Sequence, residues 1–198
     1  MRQLLLALVT LLVAGPAAAQ DPRLAGRIDE ATLARITRVV EQAAARGLPT
    51  EPLVQKALEG LSKRAAAARI EQAVRGLADR LETARAQLGG DAAEAELVAA
   101  ASALYVGIAP ASLAHLRALR PQDSLAMPLI ALTYFVKQGV AVDASLRWVE
   151  SMVSVNVAPD DVLKVQQLID ADVRAGAEAR AASETRVEAL LLRYRIDR

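Results

Sequence analysis

Apolar positions along most of this chain recur at steps of three and four. From residue 66 to 88, Ile70, Val74, Leu77, Leu81, Ala84 and Leu88 trace one stripe, with Glu71, Arg75, Asp79, Arg80, Glu82 and Arg85 set away from it. That is the 3.6-residue period of a half-buried α-helix. Leu33, Ile36, Val40 and Ala43 draw the same stripe between 29 and 46. Sustained period-two alternation and Asn-Gly or Asp-Gly hairpin signals are missing, so strands are not expected. The pattern predicts helices near 29–46, 51–63, 66–88, 91–105, 110–118, 126–138, 143–154, 159–174 and 178–195, an all-α array or bundle of eight or nine short helices.

The breaks between these segments share a composition. Arg46-Gly47-Leu48-Pro49, Val106-Gly107-Ile108-Ala109-Pro110, Gln138-Gly139-Val140-Ala141 and Val155-Asn156-Val157-Ala158-Pro159 each place Gly or Asn before an aliphatic residue, then Pro or Ala. Gly and Asn tolerate the left-handed conformation that ends many helices, the next apolar residue folds back on the last turn, and proline suits the start of a new helix. Gly47, Gly90, Gly107, Gly139 and Asn156 are the expected corners. Gly107 follows Gly90 at the same separation as Asn156 follows Gly139, and one such step beyond Gly47 falls Arg64, in a degraded copy of the motif. This suggests a degenerate repeat of one helix and one corner about every 17 residues, two such units making a helix pair. The Gly89-Gly90 pair marks a soft division within a single domain spanning residues 20–198, Gln20 to Ala25 a flexible lead-in, and Asp197-Arg198 a frayed end.

The segment 1–19 has a different character. Arg2 precedes the apolar run Leu4 to Ala14, Gly15-Pro16 breaks it, and Ala17-Ala18-Ala19 follow. This is the order of a secretory signal peptide cleaved after Ala19, and the run is shorter than the roughly 20 residues a membrane-spanning helix needs. The expected destination is the periplasm or the extracellular space, and the Ala/Arg/Leu-rich composition suggests a bacterial envelope.

Charge and composition narrow the function. Removing positions 1–19 takes away only Arg2 and leaves 23 basic against 23 acidic side chains, without the basic excess that nucleic-acid binding requires. With no cysteine there is no disulfide framework, thiolate metal site or cysteine nucleophile. His115 is the single histidine, which removes histidine triads and multi-histidine metal sites, and no serine-nucleophile, phosphate-loop or dinucleotide signature occurs. Glu94, Glu96, Asp160 and Asp161 sit where helices start and where the dipole favours acids, and Asp170 and Asp172 do not share a helix face. No catalytic, cofactor-binding or metal-binding residue is assigned, and no cofactor is implied.

Two features bear on partners. Trp148 and Met152 share a helix face, and both residue types are enriched at interfaces. The segment from Ala177 carries Arg180, Arg186, Arg193, Arg195 and Arg198 beside an apolar stripe of Val187, Leu190, Leu191 and Tyr194. The favoured function is a non-catalytic helical interaction or scaffold protein of the cell envelope, engaging a protein partner or itself. Its rivals are an envelope enzyme with dispersed carboxylates, and a peripheral membrane protein that uses the basic amphipathic C-terminal helix.

Overall fold

The structure, a computed structural model, describes residues 21–196; the expected signal segment and frayed C-terminus lie outside them. The described residues form nine α-helices and no strand: α1 (Glu30–Ala45), α2 (Glu51–Ser62), α3 (Ala67–Leu88), α4 (Glu94–Tyr105), α5 (Pro110–Leu119), α6 (Ala126–Lys137), α7 (Val142–Ser154), α8 (Pro159–Arg174) and α9 (Ala179–Ile196).

Alternate helices stack into two layers. The odd layer runs α1–α3–α5–α7–α9, each helix touching the next in that series, and in the even layer α4 packs on α6 and α6 on α8. The hairpin pairs α2–α3, α3–α4, α6–α7 and α8–α9 join the layers, and buried side chains from Leu24 to Leu191 make one continuous core. From α4 to α8 the helices start at Glu94, Pro110, Ala126, Val142 and Pro159, an almost even step. Among the described residues, five hydrogen bonds span 36 positions: Arg35 to Glu71, Arg46 to Glu82, Arg120 to Asn156, Tyr134 to Asp170, and the Ala158 amide to Tyr194. Each ties a helix or its corner to an equivalent place one helix pair later.

Most corners share one hydrogen-bond scheme. The amides of Leu48, Ala65, Ile108, Val140, Val157 and Ala177 donate to the carbonyls of Ala43, Gly60, Ala103, Phe135, Met152 and Asp172, each five positions back. The residue before each donor has positive φ: Gly47 (69°), Arg64 (53°), Gly107 (98°), Gly139 (85°), Asn156 (54°) and Gly176 (99°). This is the six-to-one closure that satisfies the orphan carbonyls of a helix end. The aliphatic residue after the glycine or asparagine is buried at Leu48, Ile108, Val140 and Val157, which explains its recurrence in sequence.

Two places depart from the sequence expectation. The positive-φ residue after α3 is Gly89, not Gly90, with φ 104° and ψ 162°, a combination open essentially to glycine alone. Here α3 ends by extending the chain rather than by folding back, and α4 begins at Glu94 rather than near 91 because the Glu96 carboxylate accepts the Ala93 amide at 3.0 Å. The segment 21–28 is also ordered: Leu24 is buried in the core, and Arg23 bridges Asp21 and Glu51.

Candidate functional site

An open groove of about 830 Å³ lies on the even layer, between α4 and α6, with Pro52 of α2 at its edge. Val98, Ala95 and Ala99 of α4 form one wall, and Ile130, Thr133 and Tyr134 of α6 the other. The small side chains follow from the alanine-rich composition of α4. Ile130, 44 % exposed, presents its side chain in the groove. Polar atoms that would wet the walls are engaged elsewhere: Ser102 Oγ donates to the Val98 carbonyl at 3.0 Å and Thr133 Oγ1 to the Leu129 carbonyl at 3.0 Å. Tyr134 donates its hydroxyl to Asp170 Oδ1 at 2.7 Å, which fixes the ring; burial, and then Asp170, pushes its pKa up, so it stays protonated.

Charge enters only at the rim. Glu94 stands at the first residue of α4 and Lys137 at the last of α6. Successive even helices run in the same sense, so the acid and the base mark opposite ends of the groove. From Glu94 to Ser102 the α4 wall spans about 12 Å at 1.5 Å per residue. Neither charged group has an ion-pair partner among the described residues.

The residues singled out from the sequence fall elsewhere. Trp148 is half-buried, stands edge-on to Phe135 (5.4 Å, 87°) and lines a second cleft, of about 650 Å³, between α7 and α9. Met152 is 2 % exposed and belongs to the core, because the turn that closes α7 folds Val157 back over it; it does not share a surface with Trp148. His115 is exposed on α5 and lies 3.7 Å from Glu150. Two of the four arginines of α9 are occupied: Arg186 pairs with Asp172 at 2.6 Å and Arg193 with Asp161 at 2.8 Å, and Tyr194 also donates to Asp161. Its basic face is therefore turned in part toward α8.

Glu96 has a role its position at a helix start only half reveals. Its carboxylate is buried and accepts from the Ala93 amide, the Leu125 amide at 2.8 Å and Arg117 Nη2 at 2.5 Å. Burial pushes the carboxyl up, and the two amides with Arg117 outweigh it, holding the group below its ordinary value. Arg117 also donates to the carbonyls of Arg120 and Asp123. This cluster organises the α5–α6 connection. Among the described residues no three His, Cys, Asp or Glu side chains converge as a metal site.

Compared with known proteins, the chain matches no family model, no curated sequence and no solved structure.

Proposed function

We propose that this is an exported, non-catalytic interaction protein of the bacterial envelope, which uses the α4–α6 groove to hold an apolar-faced helical segment of a partner protein. The observation that carries the reading is the groove itself: an apolar trough whose hydroxyls are turned into its own helices, with an acid at one end and a base at the other, both unpaired among the described residues. A helix laid between α4 and α6 would continue the layer packing of the array, and helix-in-groove recognition reads apolar anchors at i, i+3, i+4 and i+7. The charged rim selects a segment with a basic residue near Glu94 and an acidic one near Lys137, roughly three turns apart. The groove volume falls within the range of about 300–1,000 Å³ common to binding sites. Export rests on the Arg2, Leu4 to Ala14 and Ala17-Ala18-Ala19 pattern.

The test is direct binding of labelled synthetic amphipathic helices with Leu at those four spacings and one Lys and one Glu at opposite ends. Ile130→Asp weakens binding about tenfold or more, because it puts a charge in an apolar contact, with circular dichroism unchanged. Arg147→Glu, in the other cleft, leaves binding as it was. Equal affinity of wild type and Ile130→Asp removes the groove from the function. N-terminal sequencing of the exported chain should begin at Gln20.

A further inference from the structure

One face of α9, bordering the cleft beside Trp148, is left uncovered by the rest of the fold. Thr185, Glu188, Leu192, Arg195 and Ile196 lie within an arc of about 100° on the helix, and all are exposed, Leu192 at 58 % and Ile196 at 73 %. Burial of large apolar side chains is favourable, so two left open on adjacent turns are a strong invitation to pack. α9 rests mainly on α8 and meets α7 only sparsely, which opens the cleft beside Trp148.

The charges on this face identify the occupant. Glu188 and Arg195 sit on the same flank, two turns or about 10.5 Å apart along the axis, and neither is ion-paired among the described residues. In an antiparallel helix pair related by a two-fold axis, residues on one flank face residues on the same flank of the other helix, in reversed order. A dyad between residues 191 and 192 therefore sets Glu188 opposite Arg195 of the second copy, and Arg195 opposite its Glu188. Leu192 then meets its own counterpart near the centre, and the small side chain of Ala189 allows close approach. A parallel pair sets this flank against the opposite flank of the second helix, and Glu188 then has no Arg195 beside it. We propose that the outer face of α9 is a homodimerisation surface, joining two copies of this chain by antiparallel α9–α9 packing across a two-fold axis at Leu192. An isologous interface demands this self-complementarity, and the zero formal charge of residues 20–198 opposes it with no net repulsion.

Charge reversal tests both partner and geometry. In sedimentation velocity across the micromolar range, the exported chain runs as a dimer in exchange with monomer. Glu188→Arg and Arg195→Glu each weaken the dimer about tenfold or more by setting like charges opposite each other, and the double variant restores it. Because the chain has no cysteine, Leu192→Cys forms an intermolecular disulfide under mild oxidation while Arg180→Cys does not. Circular dichroism confirms that each variant is folded. A wild type that is monomeric throughout overturns the proposal, as do single reversals that leave the dimer intact or a double reversal that fails to rescue it.

Discussion

Backbone chirality at single residues sets much of this fold, and two corners separate that effect from packing. At Gly139 an added Cβ would meet nothing within 4 Å, yet φ is 85°. Gly139→Ala should therefore destabilise by about 1–2 kcal/mol through left-handed strain alone. Arg64 adopts φ 53° at the equivalent place after α2, where the Ala65 amide closes onto Gly60. Arg64→Gly removes the Cβ cost and should stabilise by about 0.5–1 kcal/mol. Urea denaturation of the two variants checks both signs together, and a stabilising Gly139→Ala would show that the corners do not constrain the chain. The sequence legibly marks such residues because the requirement is local. It hides Gly60, whose added Cβ would lie 2.7 Å from Ile70 Cγ1. That glycine serves the approach of α2 to α3, a contact between separate helices that no periodicity records.

At the scale of elements, the helices were readable because each carries its own stripe and its own stop signal, and predicted and observed bounds differ by a residue or so almost everywhere. The α5–α6 connection lacks a glycine corner, and there a pair distant in sequence does the work. Glu96 on α4 and Arg117 on α5 are far apart along the chain, and together they cap α4, bind the Leu125 amide before α6 and hold the carbonyls between. Nothing near Glu96 announces Arg117, so the carboxylate reads in sequence as an ordinary acid at a helix start. Glu96→Gln replaces one acceptor oxygen with a donor facing an amide or a guanidinium, and should cost about 1–3 kcal/mol. The pH dependence has a definite sign. Because the folded carboxyl titrates below its ordinary value of 4.5, its contribution is complete above that value and is lost as pH falls through the folded pKa. The stability gap between wild type and Glu96→Gln should therefore hold from pH 7 to 5 and shrink below 4.5. A gap constant down to acid unfolding would mean that Glu96 is not ionised in the fold.

Across the whole molecule, stability should follow the layering rather than chain order. α3 packs against α1, α2, α4 and α5, whereas α9 leans chiefly on α8. An array of this kind divides its free energy into nearest-neighbour terms, and its parts open with different free energies. Leu81, fully buried on α3, sits where both layers converge. Leu81→Ala should cost about 2–5 kcal/mol and accelerate hydrogen exchange of the slowest amides in α3, α4 and α6 by the same factor, since they exchange through global unfolding. Leu190→Ala on α9 leaves a comparable vacancy at a place with fewer neighbours. Its effect should appear in the amides of α9 and the end of α8 while those of α3 keep their rates. The same weakness of the α9 edge makes it sensitive to what binds it, because a partner that covers Leu192 and Ile196 stabilises only the state in which α9 is docked. Raising protein concentration should then slow exchange in α9 selectively. If α9 and α3 instead exchange at one common rate at every concentration, the layers unfold as a single unit and the edge is not an independent element.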